Sequence, residues 1–425
     1  MRSTGRQTSD GVDGGREVGS LATSAANMTG RNVALRGIGS ISALGYGRES
    51  VWQSYERGQP HFRVLGDGIA IYPVAPDVMD SALAPRLAEL PRLAELDRVV
   101  QLACLAAHAA VADAREQGGF DIRAARRVAV LIGTARGATA AWESSLHAWH
   151  TMQAVPVMTS PQTTFGIVSS TVAQLLKATG LAVDVSMTCT SGLHALMLGR
   201  SLLLSDDVDA VVVGGAEAAL TPYTLSQLRA LRLTPPWEAG SGPPCRPLDA
   251  SPAARARLVL GEGACVAVLT RATETARGCC TIHPLGFSAE LPPSLTGISP
   301  EGVVLRQAME DALSRGGVAA DQVDVVAPHA PGTGKGDHAE LKALTALFET
   351  VPRLVTTKFL TGHTYAASGM LGLELVRLVM AGLRPAPPGY VTRAPLYEPG
   401  ASVQVALINA AGFGGNAVSC LVSRA

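Results

Sequence analysis

Short apolar runs alternate with amphipathic, helix-like stretches along most of this chain. The runs are continuous rather than alternating, which is typical of strands that are covered on both faces. The pattern predicts an α/β protein with a mainly parallel sheet between layers of helices, and Asp97 is the expected N-cap of one helix. Strands are predicted at residues 32–38, 127–132, 209–214, 265–269, 323–327, 354–356, 403–409 and 417–422, and helices at 50–58, 99–114, 163–178, 303–315, 338–348 and 369–382.

The second part of the chain repeats the order of elements found in the first part. This indicates an internal duplication, although no literal sequence repeat is visible. We expect a disordered tail over residues 1–30, a first half over 31–271 and a second half over 272–425. Residues 59–90 are rich in proline, glycine and aspartate and are predicted to cover the core as an irregular segment. Met1 and Met28 are both plausible first residues.

Residues 183–200 combine a strand, a tight turn and an apolar helix, and Cys189 occupies the turn. A thiol at this place faces the free N–H groups and the positive dipole end of the helix, which favours the thiolate. Ser191 and Gly192 are small enough for a substrate to approach the turn closely. The alternative interpretation is a free cysteine that is buried as a small hydrophobic residue.

Composition excludes several classes of function. The chain has 425 residues, of which 47% are hydrophobic and 16% charged, so it buries a large core. Lys+Arg and Asp+Glu balance at 35 each, so we expect neither nucleic acid nor membrane among its partners. Seven cysteines without a CxxC pair argue against a disulfide framework and against a zinc site. We therefore expect a cytoplasmic protein that holds no metal.

Two histidines and one glycine turn carry further candidate chemistry. His329 follows a buried strand, and His363 lies at another strand-to-helix junction. Residues 412–416 form a glycine turn whose backbone N–H groups could stabilise an oxyanion. Each histidine alone is more simply a buried imidazole. Together with Cys189, however, these groups supply a nucleophile, two imidazoles and an anion hole, which is the equipment for thiol-based acyl transfer.

Five motifs, in order over nearly the whole chain, resemble the β-ketoacyl synthase family of the thiolase superfamily. The resemblance runs from about residue 32 to the C-terminus and implies a thiolase-like fold. In that fold, duplicated βαβαβαββ halves stack in a five-layered αβαβα arrangement. The motifs are Thr188-Cys189-Thr190-Ser191-Gly192, Arg246-Pro247-Leu248-Asp249 with Gly261-Glu262-Gly263-Ala264, the loop that begins at His329, the segment from Lys358 to His363, and Gly412-Phe413-Gly414-Gly415.

The resemblance implies a Cys-His-His triad. Cys189 would accept an acyl group from a phosphopantetheine thioester, while His329 and His363 would promote decarboxylation of a malonyl thioester. Lys358 would support the second histidine, and the backbone N–H groups of Cys189 and Phe413 would form an oxyanion hole gated by the Phe413 ring. Both histidines are expected to be neutral because burial and the charge of Lys358 disfavour the imidazolium.

Three departures from the family pattern concern the substrate. Ala330-Pro331 replaces Gly-Thr after the first histidine, and the glycine turn lacks the usual threonine before Asn416. Arg136 stands where the family has a small or aliphatic residue. We expect it either to cap the acyl tunnel, which disfavours long saturated chains, or to reach solvent or pair with an acid such as Glu143. The expected substrate-binding residues are Arg136, Thr333, Lys335, Gly412 and Gly414.

The resemblance implies decarboxylative Claisen condensation in a type II polyketide, aryl polyene or related pathway. The substrates would be carried on the phosphopantetheine of an acyl carrier protein, and no other cofactor is expected. The alternatives are a fatty-acid-elongating synthase, a chain-length-factor-like subunit and a thiolase. Chain-length-factor-like subunits normally lack the cysteine, so the presence of Cys189 argues against them. Cys420 is poorly placed as the second cysteine of a thiolase. A homodimer or a heterodimer with a paralogue is expected, paired through residues 163–190.

Overall fold

The computed structural model describes residues 32–251, 258–272, 280–291, 294 and 296–425. The predicted tail at residues 1–30 lies outside this range. The strands are β1 Val33–Ser42, β2 Gly45–Tyr46, β3 Arg63–Val64, β4 Ala70–Ile71, β5 Val128–Gly133, β6 Ala182–Val185, β7 Ala210–Glu217, β8 Gly263–Arg271, β9 Cys280–Ile282, β10 Gly286–Ala289, β11 Val325–Ala327, β12 Arg353–Leu354, β13 Val405–Gly412 and β14 Asn416–Arg424.

Helices connect most of these strands. They are α1 Arg48–Arg57, α2 Pro76–Leu87, α3 Arg98–Glu116, α4 Thr139–Met152, α5 Thr159–Thr163, α6 Ile167–Leu176, α7 Ser191–Leu204, α8 Pro222–Ala230, α9 Val303–Gly316, α10 Gly334–Leu347, α11 Lys358–Thr361 and α12 Ser368–Met380, with 3-10 turns at Pro91–Glu95, Ile122–Ala124, Ala320–Gln322 and Tyr365–Ala367. Among the described residues, no helix is both long and apolar enough to cross a membrane.

One large sheet runs through the molecule, and its two ends are built alike. Its strand order is β12-β11-β13-β14-β9-β1-β8-β7-β5-β6, with β10 beside β14. The first half contributes β6-β5-β7-β8-β1 and the second contributes β12-β11-β13-β14-β10, so that each half places its strands in the same order. Each half also runs βαβαβαββ, which confirms the predicted duplication. β8 ends at Arg271, and the proposed boundary at 271/272 stays a prediction.

The expectation of a mainly parallel sheet is wrong. Parallel pairing joins β5 to β6 and β7, and β11 to β12 and β13. The central pairs from β13 through β14, β9, β1 and β8 to β7 are antiparallel. Helices cover both faces of these central strands, so they are continuous apolar runs like parallel strands. β13 and β14 must nevertheless be antiparallel because a tight turn joins them.

The helices form three layers around the two halves of the sheet, which gives the predicted five-layered αβαβα arrangement. α3 and α6 cover the outer face of the first half, and α9 and α10 lie on the outer side of the second half. α7 and α12 pack against each other in the middle layer and contact both halves. All thirteen residues of α12 are buried, as expected for a helix that is surrounded by protein.

Backbone groups of the two halves touch beside the middle layer. Gly192 at the start of α7 and Gly215 in β7 both lie against the carbonyl oxygen of Ala366, and a Cβ at either position would overlap that oxygen. Glycine is required at both positions for this steric reason. The contact holds the turn at Cys189 against the segment that follows His363.

Two local predictions have different outcomes. Asp97 caps α3, since its carboxylate accepts a hydrogen bond from the Val99 N–H at 3.0 Å, as predicted. The irregular segment predicted at residues 59–90 is wrong, because it contains β3, β4 and α2. The start of α2 carries Pro76, which suits the first turn of a helix, but Pro85 near its end obscures the helical pattern.

Candidate active site

Cys189 lies in the tight turn between β6 and α7, as predicted, and is buried with 6% of its surface exposed. The preceding residue, Thr188, has a φ of 53°, which is strained for a residue other than glycine. Ser191 fixes the turn, because its hydroxyl accepts from the Met187 N–H at 2.8 Å and donates to the Thr188 carbonyl at 2.6 Å. The turn is therefore held by the first residue of the following helix.

The expectation that Cys189 favours the thiolate is wrong for the resting enzyme. Burial raises the pKa of the Cys189 thiol to about 12, and the negative charge of Glu217 adds to this rise. The charge of Lys358 acts in the opposite direction but does not outweigh burial. Cys189 is thus a thiol rather than a thiolate near neutral pH.

His363 is held in one tautomer by the backbone that follows it. The Tyr365 N–H donates to Nδ1 of His363 at 3.0 Å, and the Ser368 hydroxyl lies 3.2 Å from the same nitrogen. Since Nδ1 accepts, the neutral ring carries its proton on Nε2. Burial lowers the pKa of His363 to about 3, and the charge of Lys358 contributes, so the ring is neutral.

His329 follows β11 and is positioned through its backbone. The N–H groups of His329 and Ala330 donate to the buried carboxylate of Glu340 at 2.8 and 2.7 Å. Its ring lies 5.3 Å from the His363 ring, centroid to centroid, at an angle of 75°. Within the described residues, the buried Nδ1 of His329 has no hydrogen-bond partner. Burial lowers the pKa of His329 well below its usual value, with Lys358 and His363 adding to the effect.

Lys358 begins α11 and is buried, with 3% of its surface exposed. Its charge lowers the pKa of Cys189, His329 and His363, which indicates that all three lie near it. Burial lowers the pKa of Lys358 itself, and the carboxylate of Glu340 opposes that shift. The structure therefore brings the predicted cysteine, histidines and lysine together, and both histidines are neutral as expected.

The glycine turn between β13 and β14 lies against the Cys189 turn. The Thr188 hydroxyl donates to the Phe413 carbonyl at 3.5 Å, and a Cβ on Gly412 would overlap that hydroxyl. Asn416 also joins the two turns, since its side-chain amide donates to the Phe413 carbonyl and its Oδ1 accepts from Thr190 at 2.6 Å. Phe413 is 36% exposed, so its ring stands at the border between the site and solvent.

Gly414, Thr333 and Lys335 are predicted to bind substrate, and none of them belongs to the buried cluster around Lys358. Gly414 has a φ of 88°, which suits glycine, and no atom lies within 4 Å of the place its Cβ would take. Thr333 caps α10, because its hydroxyl accepts from the Gly336 N–H at 3.3 Å. Lys335 is exposed in the first turn of α10 and is not part of the buried cluster.

Arg136 does not pair with Glu143, which instead accepts a hydrogen bond from Thr221. The Arg136 guanidinium donates through Nη2 to the side-chain oxygen of Gln227 in α8 at 2.7 Å. The backbone N–H groups of Ala135 and Arg136 donate to the buried carboxylate of Glu217 at 2.8 and 3.3 Å. The turn that carries Arg136 is thus fixed from β7 and from α8.

Sequence reasoning missed several residues of the site. Glu340 and Glu217 hold backbone N–H groups of the turns at His329 and Arg136. Asp337 accepts from the backbone N–H groups of Leu248 and Gly332 at 2.7 and 3.0 Å. Glu217 is a single charge at the end of an apolar strand, and Asp337 and Glu340 are three residues apart on one helix face. Both patterns are signals for buried, functional acids.

Backbone strain is concentrated at the site. Eight non-glycine residues among those described have a positive φ. Three of them adjoin the triad, namely Thr188 before Cys189, Ala330 after His329 and Tyr365 two residues after His363. Such conformations persist only where the surrounding structure enforces them, and they are typical of functional sites.

Comparisons with known proteins give matches over most of the chain. A family model described as "Beta-ketoacyl synthase, N-terminal domain" matches residues 30–275, and the corresponding C-terminal domain matches residues 280–384. The chain is 27% identical to the 3-oxoacyl-[acyl-carrier-protein] synthase 2 of Coxiella burnetii, over 83% of this chain and 86% of the relative. It is 27% identical to the tetracenomycin polyketide synthase ketoacyl synthase alpha subunit of Streptomyces glaucescens, over 93% and 97%.

The fold is also found among solved structures. The ishigamide ketosynthase/chain length factor superposes with a TM-score of 0.81 at 22% identity, covering 93% of this chain and 99% of that chain.

The raised pKa of Cys189 predicts how its alkylation depends on pH. Only the thiolate reacts, so the rate constant for modification by iodoacetamide should rise by about tenfold per pH unit and continue to rise through pH 10. Peptide mapping by mass spectrometry, with Cys189 followed individually, measures this rate. A plateau near pH 8.5, where an ordinary thiol levels off, would contradict the assigned environment.

Proposed function

Because the chain belongs to the β-ketoacyl synthase family, we propose that it catalyses decarboxylative Claisen condensation on Cys189. The acyl group of a phosphopantetheine thioester is transferred to the Cys189 sulfur, and a malonyl thioester then extends it by two carbons with loss of CO2. One observation carries this proposal: a buried thiol and two imidazoles whose rings are 5.3 Å apart all lie close enough to buried Lys358 for its charge to lower their pKa values. The enzyme is an acyltransferase in this scheme.

Acyl loading exchanges one thioester for another. The Cys189 sulfur attacks the carbonyl carbon, the bond to the pantetheine sulfur breaks, and the thiol proton is transferred to the leaving sulfur. The backbone N–H groups of Cys189 and Phe413 stabilise the oxyanion that forms in between. Because the thiol has a pKa of about 12, deprotonation occurs together with attack rather than before it.

Condensation requires neutral hydrogen-bond donors for the malonyl thioester. As CO2 leaves, the electrons of the broken C–C bond form an enolate, and His329 and His363 donate to its oxygen. His363 is prepared for this role because its Nε2 carries the proton. The enolate carbon then attacks the acyl carbonyl, the bond to the Cys189 sulfur breaks, and the thiolate takes up a proton.

An acyl carrier protein is the proposed partner that delivers both substrates. The name of the Coxiella burnetii relative includes this carrier, which supports the proposal. Lys335 is exposed at the start of α10, beyond the loop that follows His329, and is suited to bind the phosphate of the arm or an acidic side chain of the carrier. Thr333 would bind the arm nearer to the site, and Gly412 and Gly414 leave room for it.

The proposed setting is a type II polyketide, aryl polyene or related pathway in the cytoplasm. The Streptomyces glaucescens relative is named as a polyketide synthase subunit, which supports this setting. Fatty-acid elongation uses the same chemistry and is the second candidate, which the name of the Coxiella burnetii relative favours. The intact triad disfavours a non-condensing, chain-length-factor-like subunit. Metal and further cofactors play no part in the proposed mechanism.

A covalent acyl adduct on Cys189 is the first test of the proposed function. Incubation with an acyl carrier thioester should add one acyl mass to the wild type and none to Cys189→Ala, measured by intact-mass spectrometry. A retained adduct in Cys189→Ala, or an adduct on Cys265 or Cys420, contradicts the assignment. Both of those thiols are fully buried, and the Cys265 thiol donates to the Met370 carbonyl, so neither is available.

The two histidines should separate loading from condensation. His329→Ala and His363→Ala are expected to retain substantial self-acylation, whereas the condensation rate falls on the order of 10²-fold or more because an enolate donor is lost. Acyl adducts and β-ketoacyl products are measured on the same samples. Near wild-type condensation in both variants would show that the proposed triad is wrong.

A dimer formed through residues 163–190 is part of the proposal. β6 is the last strand at its end of the sheet, and Phe165, Leu181 and Met187 are 82%, 52% and 41% exposed. A second copy or a paralogue of this chain would cover them. If the protein forms a homodimer by itself, light scattering should give a molar mass of twice the 43.8 kDa of one chain.

Leu181→Lys tests this interface against a matched control. It should weaken the dimer, whereas Leu291→Lys should not, because Leu291 lies after β10 in the other half and is 98% exposed. If the wild type is monomeric alone, a dimer should form once a paralogous subunit is added. A monomer that condenses at full rate by itself would contradict the proposed assembly.

A further inference from the structure

The side chain of Arg136 carries a buried hydrogen-bond donor that has no acceptor in the described part of the protein. The Nε of Arg136 is buried, and no protein atom within the described residues accepts a hydrogen bond from it. The same guanidinium is held at its Nη2 by the side-chain oxygen of Gln227. An unsatisfied buried donor on a charged group is costly, so a molecule bound beside it, water included, is expected to supply the acceptor.

The acceptors around Arg136 are already in use. Glu217 accepts from the backbone N–H groups of Ala135, Arg136 and Ala366, and Glu143 accepts from Thr221. No carboxylate among the described residues lies within ion-pair distance of the Arg136 guanidinium, although its charge opposes the rise in pKa that burial causes at Glu217. Gln227 orients the guanidinium but does not neutralise it, because an amide carries no charge.

The wall that carries this pair also surrounds Cys189. An apolar cluster contains Cys189, Tyr365, and Leu225 and Leu228 of α8, and Ala135 packs against it. Gln227 lies between the two leucines in sequence, and Arg136 follows Ala135 directly. The charge of Arg136 opposes the rise in the pKa of Tyr365, a member of this cluster, so Arg136 lies close to the apolar wall beside Cys189. We expect a chain attached to Cys189 to meet this wall and the Arg136–Gln227 pair.

We propose that Arg136 and Gln227 recognise an oxygen atom on the acyl chain held by Cys189, such as a keto or carboxylate oxygen. This inference rests on the proposed function, and it specifies the substrate class as oxygenated acyl groups rather than plain hydrocarbon chains. The chain oxygen accepts from the Arg136 Nε–H, while Gln227 positions the guanidinium. An all-hydrocarbon chain leaves that donor unsatisfied and is therefore the poorer substrate.

Competitive self-acylation tests the preference. Wild-type enzyme is incubated with equimolar pantetheine thioesters of hexanoic, 3-oxohexanoic, 5-oxohexanoic and dodecanoic acids, and the adducts on Cys189 are quantified by mass spectrometry. At least one oxo acid should load about tenfold or more faster than hexanoate, as expected for a charge-assisted hydrogen bond, and dodecanoate should load least. The preferred position of the oxo group then reports the distance from Cys189 to the guanidinium.

Variants assign the preference to the two side chains. Arg136→Met keeps an unbranched apolar stem but removes the guanidinium with its donors, so the oxo preference should disappear while hexanoate still loads. Gln227→Leu should weaken the preference and Gln227→Glu should retain it, because only the latter keeps an acceptor for Nη2. Gln53→Leu, an exposed position in α1, serves as the control and should behave like the wild type.

The outcomes separate this inference from the proposed function. If no thioester adds mass to Cys189, the proposed function fails. If all chains load on Cys189 but oxo and plain chains load equally, or if the oxo preference persists in Arg136→Met, the function stands and the recognition of oxygen is refuted. If Gln227→Leu prefers oxo chains as strongly as the wild type does, Gln227 takes no part in the recognition.

Discussion

The contact of the Ala366 carbonyl with Gly192 and Gly215 is the constraint on which the active site depends. It joins the backbones of the two halves without any side chain between them. The Ala366 N–H also donates to Glu217, so the carbonyl and the amide of one residue are both bound to the first half. The first half supplies Cys189, the proposed nucleophile, and the second half supplies both histidines, and this close approach brings the two halves together beside the Cys189 turn.

Burial of charge gives the site its chemical character. Lys358, Glu340 and Glu217 are all removed from water, and each is stabilised by neighbouring charges or backbone N–H groups. The same environment keeps the thiol protonated and the imidazoles neutral. Strained residues beside the triad show that the turns are held by this network rather than by their own conformational preference. The site is thus organised before substrate arrives.

Much of the fold and the positions of Cys189, His329 and His363 could be predicted from the sequence, because glycine-flanked strand ends identify the turns that carry them. The strand directions at the centre could not be predicted, since strands covered on both faces have the same apolar pattern in either direction. The state of Cys189 also escaped prediction, because the burial and the charge of Glu217 that raise its pKa arise only in the folded protein. Likewise, Gln227 lies 91 residues beyond Arg136, and no local pattern connects them.

β9 has a consequence for how the molecule can move. It pairs with β1 on one side and with β14 on the other, so one hydrogen-bonded sheet is continuous across both halves. A hinge between the halves would have to break these ladders and separate α7 from α12. Admission of a substrate therefore cannot rely on domain opening of the kind seen in two-lobed enzymes. It must instead rely on small rearrangements at the surface turns. The turn that carries Phe413 is one of them, since it borders solvent and also contacts the turn of Cys189.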